Sequence, residues 1–368
     1  MTAEGIERLI RSELVALNAY PTHKSPETLS GKVEVPVESI IKLDANENPY
    51  GCSSRVSQAL AAYPFFNIYP DARQTELRRQ LQEYTGVDAV CIVAANGSGE
   101  LLDDILRLFI KPGDKVVNCV PTFDMFRFRT LVCQGELVNI PRGKDFTVDI
   151  GAVTAAIDNR TKIIILANPN SPTGTVTPRS DILELADAGV PLLVDEAYYE
   201  FYGETMVPLV SHNPNLMVIR TFSKWAGLAG LRIGYGIFPP VIADYLLKIK
   251  LPYNVSMAAS VAVRESLVDI DYLMSTVEAI IAERERLFTR LAELNFLKPF
   301  TSRANFIFCS VLNGKASELQ QRLQRKGILV RYFDLPFLEN SIRISVGKPE
   351  HTDALIKAFQ ELEEEING

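Results

Sequence analysis

The sequence predicts an α/β protein in which a larger domain with a mostly parallel sheet, flanked by helices, is joined to a smaller α+β domain. Three observations lead to this fold class. The chain has 368 residues, apolar β-rich runs alternate with amphipathic stretches through its middle, and this pattern changes after Pro252. Because a chain of this length exceeds what one hydrophobic core normally holds, two domains that share a cleft are expected.

The strand-forming runs of the larger domain are nearly continuous in apolar character, which is typical of strands covered on both faces. They lie at residues 90–94, 115–120, 136–140, 162–167, 191–194, 216–220 and 234–238, with amphipathic helices between several of them, for example at 101–109 and 181–188. This alternation predicts a doubly wound sheet, in which ligands bind at the carboxyl ends of the strands. Polar, chemically capable residues do follow these strands.

The chain beyond Pro252 predicts a compact α+β unit. A long helical stretch at 258–294 precedes short strands at 306–309, 328–331 and 342–346 and helices at 315–326 and 351–366. We therefore place a large domain at residues 46–255 and a small C-terminal domain at 256–368. The N-terminal arm, residues 1–45, is expected to join them and to form part of the small domain.

Composition and charge exclude several classes of function. The chain has 38 basic and 45 acidic residues and a net charge of −7, which argues against a dedicated nucleic-acid binder. No segment reaches the ~18 apolar residues of a membrane helix, and residues 1–30 lack a signal-peptide pattern. Five widely spaced cysteines and three scattered histidines predict a reducing, cytoplasmic compartment and no metal site. A processed organellar form is also compatible with the sequence.

A lysine directly after a predicted strand is the strongest candidate for a catalytic group. Lys224 lies in a glycine-rich turn, where shielding from water lowers the pKa of an amine and makes it a better nucleophile or base. Ser223 and Arg232 flank it, and a hydroxyl together with a guanidinium can bind a phosphate. A lone lysine of this kind would more often be an ordinary surface residue.

The wider motif around this lysine resembles a known family. Ser223-Lys224, followed by Gly230-Leu231-Arg232-Ile233-Gly234, is similar to the coenzyme-lysine signature of the fold-type I aminotransferases. The resemblance implies that pyridoxal 5′-phosphate is held as a Schiff base on Lys224, and that Ser223 and Arg232 bind its phosphate. It also implies an amino donor and a 2-oxo acid as substrates.

An acidic residue at the end of another predicted strand supports this resemblance. A pyridine ring withdraws electrons only while its nitrogen stays protonated, and a buried carboxylate beside it favours that state. Asp195 ends the run at 191–194 and Tyr198 follows. An aspartate here could also be a helix N-cap. At the family's spacing before Lys224, Asp195 is expected to contact the ring nitrogen and Tyr198 the ring hydroxyl oxygen.

A glycine-rich turn at residues 95–100 joins the first predicted strand of the larger domain to its helix. Backbone N–H groups in such a turn can approach a phosphate, and the helix N-terminus adds a favourable dipole. Any tight strand–helix connection favours glycine, so the turn alone is weak evidence. By resemblance it is the family's phosphate-binding turn, with Ser98 and Gly99 as the contacts.

Three further coenzyme contacts are implied by resemblance alone. Residues 168–174 are similar to the family's Asn-Pro-Thr-Gly element, but Ser171 stands where asparagine usually precedes Pro-Thr-Gly. We therefore expect the ring-oxygen contact from the neighbouring Asn170. Phe123 is similar to the aromatic residue that stacks on the pyridine ring, although a core phenylalanine is an alternative. Tyr69 matches a tyrosine that reaches the coenzyme phosphate of the neighbouring subunit, which implies a homodimer.

Segments near the two ends of the chain resemble one subfamily and so narrow the choice of expected substrates. Those that most resemble the histidinol-phosphate aminotransferase subfamily are residues 43–51, 69–71, 330–333 and 342–347. An arginine fork binds a carboxylate or a phosphate bidentately. The resemblance implies that Arg343 binds the substrate anion, with Arg331 and Asn46 as further contacts; for each arginine an exposed strand position is the alternative. The implied reaction interconverts L-histidinol phosphate plus 2-oxoglutarate and imidazole-acetol phosphate plus L-glutamate.

Three alternatives share parts of this pattern. An aromatic-amino-acid aminotransferase and a threonine-phosphate decarboxylase would use the same coenzyme. A catalytically silent binding protein would not need to keep Lys224, Asp195, Tyr198 and Arg232 together. A visible absorption band lost in Lys224→Ala, and carbon dioxide release from threonine phosphate, distinguish these alternatives.

Overall fold

The computed structural model describes residues 3–15, 17–19, 28, 33 and 35–367, so the predicted arm at 1–45 lies partly outside the described residues. The described strands, in chain order, are β1 Ile41–Leu43, β2 Ile92–Ala95, β3 Lys115–Val120, β4 Glu136–Pro141, β5 Thr161–Ala167, β6 Leu192–Asp195, β7 Leu216–Thr221, β8 Gly234–Ile237, β9 Leu297–Pro299, β10 Phe306–Val311, β11 Ile328–Tyr332 and β12 Ser341–Ser345. They form two sheets.

Helices cover both sheets. In chain order they are α1 Ala3–Glu7, α2 Ser12–Val15, α3 Ser54–Ala62, α4 Thr75–Thr85, α5 Ser98–Phe109, α6 Met125–Val132, α7 Ile150–Ala155, α8 Arg179–Ala186, α9 Tyr199–Tyr202, α10 Pro240–Ile249, α11 Met257–Val268, α12 Ile270–Ala292, α13 Ala316–Arg325 and α14 Pro349–Asn367. No described helix has the combination of length and apolar character needed to cross a membrane.

The larger sheet has seven strands in the order β2-β8-β7-β6-β5-β3-β4. β3 to β7 pair in parallel, whereas β8 runs antiparallel to both of its neighbours, β2 and β7. This confirms the predicted mostly parallel α/β fold. All seven strands agree with the predicted runs to within two residues at either end.

Successive side chains in a strand of the larger sheet point to opposite faces and pack into two separate hydrophobic cores. In β5, Ile164 and Leu166 pack into one core, and Ile163 and Ile165 pack into the other. The second core is completed by the buried face of α5 and by α10. Helices on both faces therefore explain why the sequence of these strands is almost continuously apolar.

The smaller sheet has the order β1-β11-β12-β10-β9. β1 pairs with β11 in parallel and the other pairs are antiparallel. β1 and β9 are not predictable from the sequence, because three residues are too few to show a period. β1 extends the smaller sheet with residues from the N-terminal part of the chain, so the segment that follows it passes close to the larger sheet.

The single helical stretch predicted at 258–294 is two helices, α11 and α12, so that prediction was wrong in its continuity. Between them Asp269 has φ −105° and ψ 33°, which is not helical. Its carboxylate accepts a hydrogen bond from the Ser53 hydroxyl, which precedes α3. A short polar side chain that bonds elsewhere competes with helix continuation, and apolar periodicity alone does not reveal such a break.

Candidate active site

One cavity of about 470 Å³ lies where the parallel strands of the larger sheet end, and residues of the smaller sheet close it. Most of the residues singled out from the sequence line it. They are Asn46, Ser98, Gly99, Phe123, Asp195, Tyr198, Ser223, Lys224, Arg232, Arg331 and Arg343. The carboxyl-end rule for α/β sheets is therefore followed.

The first turn of α5 and the turn after β7 form a cluster of hydrogen-bond donors at one end of the cavity. Gly97 precedes α5 with φ 86°, and a Cβ atom placed on it would lie 2.6 Å from a guanidinium nitrogen of Arg232. The positive φ favours glycine at this position, and a larger residue would also have to displace the end of the Arg232 side chain. Arg232 in turn lies 3.5 Å from the Ser223 hydroxyl. Backbone N–H groups, a hydroxyl and a guanidinium thus converge, which suits an anion such as a phosphate.

Asp195 is the last residue of β6 and Lys224 follows the adjacent parallel strand β7, so both side chains reach the same cavity. Burial raises the pKa of Asp195 to about 7, opposed by a hydrogen bond from the backbone N–H of Ala197 at 3.0 Å. Burial also lowers the pKa of Lys224 to about 8, and the nearby Arg343 guanidinium acts in the same direction. The Lys224 amine donates to the carbonyl of Ala45 at 2.9 Å. Both groups can therefore change protonation state near neutral pH.

Tyr198 is held between the two sheets. Its hydroxyl accepts a hydrogen bond from the Asn46 side chain at 2.9 Å, and its ring packs edge-on against Phe306 of β10 with centroids 5.1 Å apart. Asn46, with φ 55°, is fixed in turn by two hydrogen bonds with Ser345 of β12. Burial raises the pKa of Tyr198, so the phenol stays protonated and can donate.

Two arginines form the opposite end of the cavity. Arg331 of β11 and Arg343 of β12 are directly opposed in the antiparallel pair. Phe333 lies close to both guanidinium groups, at 5.5 Å from Arg331 and 5.6 Å from Arg343. Arg343 also donates to the carbonyl of Asp44 at 2.7 Å and to the Ser171 hydroxyl at 3.3 Å. This end is suited to a second anion.

Two of the residues singled out from the sequence do not line the cavity. Asn170 is fully buried in its loop, where it bonds Thr122, Arg142, Thr173 and the carbonyl of Pro121. Tyr69 is 79% exposed and stacks on Tyr253 with ring centroids 4.7 Å apart.

Several residues that line the cavity were not selected from the sequence, and three of them, Ser171, Glu47 and Phe333, bear on its chemistry. Ser171 was noticed only as a departure from the family's asparagine. A signal for Phe333 was available, because it stands two residues after Arg331, just past the end of β11, and residues two apart in extended chain point to the same side. Glu47 had no comparable signal, although its charge favours the protonated form of Lys224. No group of three or more His, Cys, Asp or Glu side chains within the described ranges is arranged to hold a metal.

The family of the chain follows from a match between residues 38–359 and the sequence model of the aminotransferases of class I and II. The chain belongs to this family. The match spans both sheets and every residue that lines the cavity. Lys224, which the sequence motif singled out, therefore stands in an aminotransferase.

Relatives and solved structures that are similar to this chain are also aminotransferases by name. A histidinol-phosphate aminotransferase from Dehalococcoides mccartyi is 52% identical over 360 residues, which cover 98% of this chain and 99% of the relative. A chloroplastic histidinol-phosphate aminotransferase from Nicotiana tabacum is 42% identical, over 96% of this chain and 86% of the relative. The crystal structure of histidinol-phosphate aminotransferase from Sinorhizobium meliloti in complex with pyridoxal-5′-phosphate has a TM-score of 0.86 at 28% identity, over 96% of this chain and 98% of that one.

Proposed function

We propose that this aminotransferase uses pyridoxal 5′-phosphate to interconvert L-histidinol phosphate plus 2-oxoglutarate and imidazole-acetol phosphate plus L-glutamate, a step of histidine biosynthesis. One observation carries the proposal: a single cavity joins Lys224 and Asp195 to the paired arginines Arg331 and Arg343. The names of relatives 40% to 52% identical over nearly the whole chain support the choice of substrate.

The residues of the cavity fit this coenzyme. The first turn of α5, with Ser98 and Gly99, would bind its phosphate together with Ser223 and Arg232. The absence of a Cβ atom at Gly97, where one would lie 2.6 Å from Arg232, keeps that donor cluster close-packed. Phe123 lies at the cavity wall, where it would stack on the ring. For the polar contact to the ring oxygen, Ser171 in the same loop is better placed than Asn170, because only Ser171 lines the cavity.

Bound coenzyme supplies an electron-withdrawing ring that stabilises negative charge at the substrate's α-carbon. Asp195 would keep the ring nitrogen protonated, since a cation beside this buried carboxyl favours its ionised form. Tyr198, oriented by Asn46, would donate to the ring oxygen. Lys224 would hold the coenzyme and then transfer the proton at the substrate's α-carbon. With its pKa lowered to about 8, a useful fraction of the amine is unprotonated near neutral pH.

The arginine end would select the substrate. Arg343 presents a planar fork, which fits a phosphate or a carboxylate equally, so histidinol phosphate and glutamate could occupy the same place in turn. Arg331 would add a second contact to the phosphate, and Asn46 would border the substrate from the opposite wall. Phe333 lies near both guanidinium groups, where its ring attracts the cations and would offer an apolar surface to the imidazole ring.

Within one chain, we propose a large domain at 46–255 and a small domain at 256–368, joined by the arm at 1–45. We further propose a homodimer in which Tyr69 reaches the site of the neighbouring subunit. Tyr69 stacks on the exposed Tyr253, and its sequence neighbours Phe65, Phe66 and Ile68 are exposed as well. Exposed apolar side chains in such numbers are typical of a protein interface. Mixed dimers of Tyr69→Ala and Lys224→Ala subunits would each keep one intact site. Activity regained on mixing is expected; its absence would contradict a shared site.

The cellular setting that we propose is the cytoplasm. None of the five cysteines forms a disulfide, and three of them are buried as small apolar side chains. Fractionation of the cells that make this protein tests this assignment. Recovery with a periplasmic or membrane fraction would contradict it.

The function is tested by a panel of amino donors with 2-oxoglutarate, comprising histidinol phosphate, phenylalanine, tyrosine and aspartate. We expect histidinol phosphate to have the highest kcat/KM and glutamate to accumulate. A preference for phenylalanine or tyrosine would indicate an aromatic-amino-acid aminotransferase instead. Carbon dioxide release from threonine phosphate would indicate the lyase. Protein that gains no visible absorption band with pyridoxal 5′-phosphate would refute coenzyme use.

A further inference from the structure

A buried ion pair lies directly behind the cavity. Arg220 and Glu196 are 3% and 2% exposed, and the Nε and Nη2 atoms of Arg220 donate to one carboxylate oxygen of Glu196 at 3.0 and 2.8 Å. Arg220 is on β7, the strand that leads to Lys224, and Glu196 directly follows Asp195 at the end of β6. The pair therefore joins the two strand ends from which the proposed catalytic groups extend.

Further contacts hold both side chains of this ion pair in place. Both oxygens of Glu196 are bonded, because the Thr205 hydroxyl donates to one and the backbone N–H of Met206 to the other, each at 2.7 Å. The guanidinium of Arg220 lies 3.5 Å from the centre of the Tyr199 ring. Replacing a buried ion pair by apolar side chains is often neutral or stabilising, so stability alone does not account for its presence here.

The charge of Glu196 acts on Asp195 through their proximity. The groups that face Asp195 are Glu196 itself, the amine of Lys224, the phenol of Tyr198 and the backbone N–H of Ala197. Of the two charged neighbours, Glu196 disfavours the ionised form of Asp195 and Lys224 favours it. Within the part of the chain that the structure describes, the ion pair of Glu196 is with Arg220. Without Arg220, an uncompensated negative charge would stand next to Asp195.

We propose that Glu196 and Arg220 are positioning residues for the reaction: they hold the Asp195 strand end against the Lys224 turn, and Arg220 neutralises Glu196 so that Asp195 stays ionised beside the coenzyme ring. Neither residue lines the cavity, so both act through their neighbours. The inference rests on the proposed use of pyridoxal 5′-phosphate.

The test is a double-mutant cycle with Arg220→Gln, Glu196→Gln and the double variant. Each is measured for its dissociation constant for pyridoxal 5′-phosphate between pH 5 and 8, for the pH profile of kcat, and for Tm. Arg220→Gln leaves Glu196 without its cation, and we expect this change to raise the pKa of Asp195. Coenzyme binding and turnover need ionised Asp195, which is lost as pH falls. The acid limbs of the affinity and kcat profiles should therefore move to higher pH by roughly one unit. At a given pH on that limb, this is a tenfold loss of affinity or kcat.

The acid limbs of the other two variants should not move to higher pH. Glu196→Gln removes the negative charge and should move the acid limb to lower pH, and the double variant should return it near its original position. Tyr84→Phe is the matched control, because it removes a hydrogen bond to Glu200, at 3.0 Å in the same buried region, without removing either charge of the pair. We expect Tyr84→Phe to lower Tm and leave the acid limb in place.

A purely structural role predicts lower Tm values in all variants with unmoved acid limbs, and that outcome would overturn the inference. If Arg220→Gln does not fold, Glu196→Gln is a sufficient test. Its acid limb moves to lower pH only if Glu196 acts on Asp195 through its charge. Failure of the wild-type protein to bind pyridoxal 5′-phosphate at any pH would instead refute the proposed function, so the two failures are distinguishable.

Discussion

Replacing Arg343 by glutamine tests the anion-binding end of the cavity. The guanidinium is only 7% exposed and is already oriented, because one nitrogen donates to the carbonyl of Asp44 at 2.7 Å and another to the Ser171 hydroxyl at 3.3 Å. An oriented fork loses little entropy when an anion binds, so most of its interaction energy contributes to affinity. Glutamine keeps a polar side chain but removes the charge and the fork.

The expected loss follows from the bonds that an oriented fork can make. A hydrogen bond with an ionised group contributes about 1.5–3 kcal/mol. Two such bonds, one to each of two anion oxygens, give a loss of at least ~3 kcal/mol, or on the order of 100-fold in affinity. Because both substrates present an anion, KM should rise for the amino donor and for 2-oxoglutarate, with a smaller change in kcat. Arg343→Lys keeps the charge without the fork and should lie in between.

The assay is steady-state kinetics with each substrate varied in turn, together with Tm and the visible absorption of the bound coenzyme. Arg290→Gln is the matched control, because Arg290, in the last turn of α12, pairs with Glu293 at 3.4 Å and lies outside the cavity. An unchanged KM for glutamate in the Arg343 variant would refute the shared anion site. Equal losses in the control would show that the effect is not local.

Three further changes have defined outcomes. Asp195→Ala should leave the coenzyme attached, detected by its absorption band, but lower kcat by roughly 100- to 1000-fold, since the charge that keeps the ring nitrogen protonated is gone; wild-type turnover would contradict the role. Gly97→Ala should weaken coenzyme affinity about tenfold in equilibrium dialysis, because φ is 86° and the new methyl group meets Arg232; unaltered affinity would contradict the close approach. Burial raises the pKa of Glu200 from 4.5 to about 7, so the folded protein keeps a proton that the unfolded chain releases. Its contribution to stability is therefore present below about pH 4.5 and is lost as pH rises through about 7. Urea unfolding at pH 5 and 8 should show a smaller decrease in Glu200→Gln than in the wild type, and equal decreases would refute the shift.

The larger sheet and the chemistry at its edge could be predicted because their signals are local. Apolar runs gave the strands, and the carboxyl ends of parallel strands meet at one edge, so Asp195 and Lys224 were expected to converge. The family motif then added Ser223 and Arg232. The division of 258–294 into two helices was missed, because the bond between Ser53 and Asp269 joins distant parts of the chain.

The amino-acid sequence alone determined which chemical groups are available: an amine, a carboxylate, a phenol and three guanidinium groups, each in a recognisable local motif. Their surroundings were decided by packing. Only the folded structure brings Ser171 rather than Asn170 to the cavity, and only the pairing of β1 with β11 carries Ala45 to the Lys224 amine and Asp44 to Arg343. The physical reason is that these contacts join residues as many as 299 positions apart, and their existence depends on how two sheets pack, which no local periodicity encodes.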